Sequence, residues 1–243
     1  MEVAPGVHRL TGGIVNFYLV DDGGKLVLVD AGTPRDWDLM VRALAGLGRH
    51  VEDLDAVLIT HAHSDHTGFA EQARTTATAG VWIHEADVDQ ARGGKQPKHE
   101  GTMARYLAKA EMYRTALSLM RRRAMSIVPI REVSSFADGE VLDVPGRPRV
   151  VHAPGHTAGS AALHLESRGV LFSGDALVTR NPMTGRVGPQ IMPSGLNRDS
   201  EQALTSLRAL LGVAATTVLP GHGEPWTQGT AEAVRLARQA GIS

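Results

Sequence analysis

The chain has 243 residues, 42% of them apolar, which is enough for one domain with a sizeable core. Lysine and arginine total 25 against 26 for aspartate and glutamate, so a net charge of −1 argues against bulk electrostatic binding to nucleic acid or a membrane. The chain lacks cysteine, which excludes disulfides, thiolate metal sites and cysteine nucleophiles, but it contains eleven histidines.

The N-terminal residues do not predict export. The first twenty residues lack a basic start, an uninterrupted apolar run and a cleavage site. No segment approaches the roughly 18 apolar residues of a membrane span. We therefore expect a cytoplasmic protein that acts without a membrane or nucleic-acid partner.

Short strands and helices alternate in both halves of the chain. The first half predicts strands over residues 14–20, 25–29, 56–59 and 81–83, and helices over residues 34–46 and 68–76. The second half predicts strands over residues 150–151, 161–165, 170–172 and 217–219, and helices over residues 199–211 and 230–239. With no evident linker, the prediction is one α+β domain over residues 1–243, with helices layered outside the strands.

Residues 85–135 predict a helical insertion, because strand signals vanish there. Apolar residues recur at three- and four-residue spacing and form one stripe along a helix. The stripe comprises Met103, Leu107, Ala110, Tyr113, Leu117, Met120 and Ala124. Three roles stay open for it: packing against the domain, a lid over an active site, and a homodimer contact.

A cluster of metal-binding side chains follows the apolar strand at residues 56–59. His61, His63, Asp65 and His66 place four candidate ligands within six positions. Imidazole nitrogen and carboxylate oxygen suit borderline divalent metals. On extended chain His61 and His63 can approach one ion from the same side. Asp65 and His66, after the turn, can point to a second ion.

Three later loops carry further candidate ligands. His156 lies in a loop rich in glycine and proline, Asp175 follows the strand at residues 170–172, and His222 follows the strand at residues 217–219. Functional groups concentrate in such loops at strand ends. The other histidines are expected to be incidental: His8, His50, His84, His99, His152 and His164. Among these, His84 and His99 flank the insertion and are the candidates for a substrate contact.

These motifs resemble those of the metallo-β-lactamase superfamily of metallohydrolases. Residues 28–32 are similar to its first motif, residues 61–66 to its signature motif, and His156, Asp175 and His222 to the next three. The resemblance implies a four-layer αβ/βα sandwich with a two-metal site at one edge. It assigns His61, His63 and His156 to the first metal, Asp65, His66 and His222 to the second, Asp175 to a bridge between them, and Asp30 to a hydrogen bond that orients a ligand.

The implied bridge at Asp175 favours one branch of this superfamily. It resembles the bridging aspartate of glyoxalase II and the lactonases, whereas zinc β-lactamases generally lack it, so β-lactam hydrolysis is disfavoured. Val178 stands where acyl-homoserine lactonases often carry a tyrosine. The neutral net charge disfavours the RNA-cleaving branch.

The implied reaction is hydrolysis of a small-molecule carboxylic ester, lactone or thioester by a hydroxide that bridges two divalent metals. Zinc is the favoured metal, and iron or manganese also suit the ligands. Asp65 and Asp175 are the expected catalytic residues, with Asp65 placed to receive a proton. From the insertion, Met103, Tyr106, Met112 and Tyr113 are expected to line the substrate pocket.

The alternative hypothesis for the function is a persulfide dioxygenase. These enzymes resemble the same motifs but use a single iron held by two histidines and one carboxylate. A partner-binding scaffold without activity is disfavoured, because such relatives lose ligands and all seven are present here. Metal content and oxygen consumption separate the hydrolase from the dioxygenase.

Overall fold

The computed structural model describes residues 1–95 and 98–243, and most strands in these ranges belong to two sheets. The first sheet contains β1 (Glu2–Ala4), β2 (Val7–Thr11), β3 (Asn16–Asp22), β4 (Lys25–Val29), β5 (Leu54–Ile59), β6 (Gly80–His84) and β7 (Ser134–Phe136). The second begins with β8 (Arg149–His152), β9 (Ala161–Leu165) and β10 (Val170–Gly174). A separate hairpin, β11 (Val178–Arg180) and β12 (Val187–Gln190), precedes β13 (Thr217–Pro220), which returns to the second sheet.

Helices lie between and after these strands. The α-helices are α1 (Trp37–Gly46), α2 (Ala70–Ala77), α3 (Val88–Ala91), α4 (Ala110–Arg121), α5 (Ser200–Leu210) and α6 (Thr230–Ala240). Single 3-10 turns occur at Pro34–Asp36, Val51–Asp53, Glu85–Asp87, Met103–Tyr106 and Glu166–Arg168. None of the helices in the described ranges combines the length and apolar character needed to cross a bilayer.

The two sheets mix parallel and antiparallel pairing. In the first sheet the strands follow chain order, with β1 to β4 antiparallel and β4 to β7 parallel. In the second sheet the order is β13, β10, β9, β8, and β10 pairs with β13 in parallel. Neighbouring parallel strands end at the same edge of a sheet, so the loops after β10 and β13 emerge side by side.

Alternating side chains place each sheet between two apolar layers. In β3, Phe17 and Leu19 face the outer helices, whereas Tyr18 and Val20 face the second sheet. In β10, Phe172 faces the first sheet and Leu171 faces away from it. This alternation follows from the two-residue period of a strand, and it buries both faces of each sheet.

The helices cover the outer faces of both sheets. Met40 and Leu44 of α1 pack with Ala73 of α2 on the first sheet. Leu207 of α5 and Val234 of α6 pack on the second. The layers therefore run helix, sheet, sheet, helix, which confirms the predicted α+β sandwich.

The strands that the sequence did not predict are short or polar. They are β1, β2, β7, β11 and β12. β7 has only three residues and two of them are serines, so it carries no apolar alternation. The predicted apolar strands and amphipathic helices outside residues 85–135 are present, with boundaries that differ by about two residues.

Within residues 85–135 the structure differs from the continuous helical stripe. A 3-10 turn at Met103–Tyr106 is separated from α4, and β7 adds a strand to the first sheet. Leu107, Tyr113, Leu117 and Met120 of the predicted stripe are 46–68% exposed. The neighbouring ridge of the helix faces inward instead. Thr115 on this ridge is buried, and its hydroxyl donates a hydrogen bond to the carbonyl of Pro182 at 2.6 Å.

Truncating Phe172 should weaken the packing between the two sheets. Its ring is 2% exposed and lies 5.3 Å from the ring of Tyr18 across the layer between the sheets. We expect Phe172→Ala to lower the free energy of unfolding by about 3–5 kcal/mol, through lost burial and a residual cavity. Urea denaturation followed by circular dichroism measures this loss. Val187→Ala, at a side chain that is 74% exposed, is the control and should change stability little.

Candidate metal centre

Seven of the predicted ligands converge at one edge of the two sheets. His61, His63, Asp65 and His66 follow β5, where the chain turns before α2. Three loops of the second sheet supply the remainder, with His156 after β8, Asp175 after β10 and His222 after β13. The β-sandwich therefore assembles at one point residues that are up to 161 positions apart in the chain.

The candidate ligand atoms form three overlapping groups. These are His61 with His63 and His156, His61 with His66 and Asp175, and Asp65 with His66 and His222. Within each group the atoms lie within 4.8 Å of one another. The overlap means that two neighbouring ions could share this set of side chains.

Asp175 lies between the two outer groups. Its Oδ2 atom is 3.3 Å from Nε2 of His156 and also 3.3 Å from Nε2 of His222. Its other oxygen, Oδ1, is 3.6 Å from Nε2 of His66. One carboxylate thus faces imidazole nitrogens of both outer groups.

The arrangement of these atoms suits a metal. Among the described residues, His66 Nε2 and Asp175 Oδ1 are buried without a hydrogen-bond partner. Buried polar atoms are rarely left unpaired unless an ion or another group satisfies them. Glycine at position 221 also leaves room beside this carboxylate, because a Cβ atom there would clash with Asp175 Oδ1. Nitrogen and oxygen donors in this number fit a borderline divalent ion such as zinc.

The second nitrogen of each buried histidine ligand has a partner away from the centre. His66 Nδ1 lies 2.8 Å from Asp30 Oδ2, and His61 Nδ1 lies 3.1 Å from the hydroxyl of Thr60. His156 Nδ1 lies 3.1 Å from Asn197 Oδ1, and His222 Nδ1 donates to the carbonyl of Ile14 at 2.6 Å. These contacts orient all four Nε2 atoms toward the centre.

Asp30 lies where the sequence predicted an orienting residue. Its buried carboxylate also accepts hydrogen bonds from the Thr60 amide at 2.8 Å and from the Thr60 hydroxyl at 2.9 Å. It adopts a left-handed backbone conformation with φ of 59°. Such a conformation is uncommon for residues other than glycine, and the hydrogen bonds to Thr60 and His66 hold it in place.

Asp87 is a positioning residue that the sequence did not reveal. Its buried carboxylate accepts hydrogen bonds from the Ala62 amide at 3.0 Å, the Thr157 hydroxyl at 2.7 Å and the Gly159 amide at 2.7 Å. It therefore joins the loop of His61 and His63 to the loop of His156. A lone aspartate in an acidic stretch gives no sequence signal for this role.

The electrostatics favour neutral imidazoles at His61 and His63. Burial, together with the neighbouring histidines, lowers the pKa of His61 and His63 well below the usual range. Burial also acts to lower the pKa of His66, but Asp175, Asp30 and Asp65 outweigh it and raise that pKa to about 10. Burial acts to raise the pKa of Asp175. His222 and His66 have the opposite and larger effect, so the pKa of Asp175 lies well below its usual range. The centre thus has an ionised carboxylate among imidazoles.

The metal centre opens onto an apolar cavity of about 580 Å³. Met103 and Met112 line it, as the sequence predicted. The structure corrects the expectation for the two tyrosines. Tyr106 is buried outside the cavity, where its hydroxyl donates to the Ser243 carbonyl at 3.1 Å. Tyr113 is 56% exposed on the outer face of α4, and its hydroxyl donates to the Leu107 carbonyl at 2.8 Å.

One of the histidines expected to be incidental also faces the cavity. His99 lines the wall, and its ring centroid lies 5.8 Å from that of His63. His84 instead stacks on His152 at 3.9 Å, and neither of them lines this cavity. Of the two flanking histidines that the sequence offered as candidates for a substrate contact, His99 lies at the cavity and His84 does not.

Comparison with known proteins agrees with this geometry. The family model described as "Metallo-beta-lactamase superfamily" matches residues 10–222, which include every candidate ligand. The chain belongs to the metallo-beta-lactamase superfamily. The sequence resemblance at the superfamily level is therefore confirmed.

Relatives within the superfamily extend over most of the chain. The probable metallo-hydrolase YflN of Bacillus subtilis is 28% identical over 238 residues, covering 93% of this chain and 87% of that protein. The human acyl-coenzyme A thioesterase MBLAC2 is 30% identical over 119 residues, but this covers 49% of this chain and 39% of the human protein. These similarities support a superfamily metallohydrolase.

Solved structures of superfamily members share the fold. The metallo-beta-lactamase family protein TTHA1429 from Thermus thermophilus aligns with a TM-score of 0.70 and 26% identity, covering 98% of this chain and 80% of that one. Metallo-beta-lactamase SMB-1 aligns with a TM-score of 0.72, covering 98% and 93%, but is only 17% identical. The likeness to SMB-1 therefore shows the fold alone.

Removing the Asp30 carboxylate should weaken metal binding without removing a ligand. His66 loses the acceptor that orients its ring, and changes of this kind typically reduce metal affinity about 10–100-fold. We expect that reduction for Asp30→Ala, measured by zinc competition against a chelating dye. Asp38→Ala removes an exposed aspartate nearby in sequence and should leave zinc affinity unchanged. Equal affinities in the two variants would contradict the orienting role.

Removing the Asp87 carboxylate should affect folding and metal binding together. Asp87→Ala leaves three donors without their acceptor, and each unsatisfied buried group costs about 1–3 kcal/mol. We expect the free energy of unfolding to fall by about 3 kcal/mol or more, measured by urea denaturation, and zinc affinity to fall as well. Asp87→Asn retains one acceptor oxygen and should be intermediate. Glu85→Ala, at an exposed acidic residue two positions away, serves as the control.

Proposed function

We propose that this protein is a binuclear metallohydrolase that cleaves a carboxylic ester, lactone or thioester of a neutral small molecule. The observation that carries the proposal is the position of Asp175. Its Oδ2 atom lies 3.3 Å from Nε2 of His156 in one outer group and 3.3 Å from Nε2 of His222 in the other. This position supports the branch of the superfamily that has a bridging aspartate. The centre also opens onto a cavity that suits a small molecule with an apolar portion.

The proposed ligand assignment follows the observed groups. His61, His63 and His156 would hold one ion, Asp65, His66 and His222 would hold the other, and Asp175 would contact both. Two divalent ions in such a site lower the pKa of water toward neutrality and polarise a substrate carbonyl. Zinc is the proposed metal because imidazole nitrogens are combined with carboxylate oxygens in the ligand set.

Asp65 is proposed to accept a proton at its carboxylate. It lines the cavity and is only partly buried, and its Oδ2 lies 3.7 Å from His222 Nε2 and 4.0 Å from His66 Nε2. A carboxylate at the border between the ligands and the cavity can receive the proton of an attacking water within hydrogen-bond reach.

The neighbouring serine is not free to act as a nucleophile. The Ser64 hydroxyl donates a hydrogen bond to the carbonyl of Ala124. The chain also has no cysteine, so a covalent thiol mechanism is excluded. Direct attack by water is the mechanism that the remaining groups support.

The wall of the cavity beside the candidate metal centre is largely apolar. Leu119 and Met112 of α4 and Leu196 from the second half of the chain lie on this wall beside the metal centre. A low-polarity surrounding strengthens the electrostatic interactions made by the ligands and by the substrate carbonyl. We propose a cytoplasmic enzyme of small-molecule metabolism, without a nucleic-acid or membrane partner.

Loss of Asp175 or His61 should remove both bound metal and hydrolysis. We expect Asp175→Ala and His61→Ala to reduce kcat/KM at least about 100-fold, because charge stabilisation at the reacting carbonyl is lost. The assay uses p-nitrophenyl esters, simple lactones and acyl thioesters, with metal content measured by mass spectrometry. His50→Ala replaces an exposed histidine outside the ligand groups and should retain metal and activity.

Two outcomes would contradict the proposed function. Full turnover by metal-stripped protein would exclude the metal-dependent mechanism, and full turnover by the Asp175→Ala variant would exclude the proposed role of Asp175. One iron per chain together with oxygen consumption on a persulfide substrate would instead support the dioxygenase. A nitrocefin assay run in parallel tests for β-lactam hydrolysis.

A further inference from the structure

Methionine dominates the cavity beside the metal centre. The chain has eight methionines, and six of them line this one cavity. They are Met103, Met112, Met120, Met125, Met183 and Met192. They belong to the 3-10 turn before α4, to α4, to the segment after it, to the β11–β12 hairpin and to the segment after β12. Separate parts of the chain therefore converge to make the same kind of wall.

The acidic groups that line the cavity belong to the candidate metal centre. Among the described residues that line it, the acidic side chains are Asp65 and Asp175, and no lysine or arginine is present. A carboxylate or phosphate on the buried part of a substrate would therefore find no cationic partner in this wall. The part of the substrate that lies against the apolar wall, away from the metal centre, is therefore expected to be neutral.

The shape of the side chains also discriminates among neutral groups. Apart from imidazole rings, the described lining residues include no aromatic side chain, since Tyr106 and Tyr113 point elsewhere. The unbranched thioether side chain of methionine has three rotatable bonds and adapts to irregular, flexible partners. A wall of this composition adapts to a flexible aliphatic chain, whereas a flat ring would find methionine sulfur contacts but no phenyl or indole ring to stack on.

We infer that this cavity binds an unbranched aliphatic chain, so that the substrate is an acyl or alkyl compound whose carbonyl lies at the metal centre. The inference rests on the proposed function for the reaction itself. The binding of the chain, however, depends only on the cavity. The two can therefore be tested separately.

The methionines that line the cavity range from buried to exposed. Met183 and Met192 are 4% and 3% exposed, whereas Met120 and Met125 are 68% and 78% exposed. An aliphatic chain that extends into the cavity gains burial with each methylene until it reaches the exposed methionines. A longer chain emerges there and gains little more. Affinity should therefore rise with chain length and then level off.

Binding of straight-chain alcohols tests the inference without any hydrolysis. The probes are 1-butanol to 1-dodecanol, measured by displacement of an apolar fluorescent dye from the metal-loaded protein. We expect the dissociation constant to fall roughly fourfold for each added methylene before the plateau, the factor given by the usual free energy of burying one methylene. Phenyl-substituted alcohols of equal carbon number should bind more weakly than the straight chains.

Two variants that fill the cavity give a structural check. Met112 and Leu119 lie half-buried on the inward ridge of α4 and line the cavity, whereas Leu117 lies on the outer ridge and does not. Met112→Trp and Leu119→Trp should move the plateau to shorter alcohols and, in a series of p-nitrophenyl esters, the optimum of kcat/KM to shorter acyl chains. Leu117→Trp is the matched control and should leave both unchanged. Thermal unfolding verifies that each variant is folded.

The outcomes separate the inference from the proposed function. Dissociation constants that do not depend on chain length, tighter binding of phenyl alcohols, or an unchanged plateau in folded Met112→Trp and Leu119→Trp would overturn the aliphatic-chain inference. Chain-length-dependent alcohol binding without hydrolysis of any ester, lactone or thioester would support the inference and contradict the proposed function. Hydrolysis of an ester, lactone or thioester, together with alcohol binding that does not depend on chain length, would support the proposed function and contradict the inference.

Discussion

The carboxylate of Asp175 is the group on which the rest of the metal centre depends. It is buried among His61, His66, His156 and His222, and removing a charge from water is costly unless opposite charges or donors surround it. The histidines satisfy that need in part, and the unpaired Oδ1 atom keeps a position for a metal. A buried carboxylate facing several imidazole Nε2 atoms is an arrangement that a divalent cation stabilises directly.

The surrounding fold holds these groups in place through a second set of buried polar contacts. Asp30 joins His66 to Thr60, and Asp87 joins the loop after β5 to the loop after β8. Each contact spans two layers or two loops, so the metal centre and the packing of the sheets are stabilised together. Such contacts also explain why the ligand histidines point their Nε2 atoms inward.

The candidate metal centre and the cavity beside it have different structural origins. The ligands come from loops at the ends of core strands, whereas much of the apolar wall comes from α4 and the residues around it. The sandwich thus supplies the candidate metal ligands, and the segment between β6 and β7 supplies much of the cavity wall. This division allows substrate preference to change without disturbing the ligands.

The sequence by itself determined the ligand types, their order along the chain and the strand pattern that makes a sandwich, because spacing and two-residue alternation are local properties. Tertiary structure alone decided which ridge of α4 faces the cavity, so Met112 lines it and Tyr113 does not. It also decided that Asp87 binds Thr157, 70 residues away, and that Asn197 binds His156, 41 residues away. The packing of distant segments determines these partners. The periodicity of apolar residues along the chain cannot specify that packing.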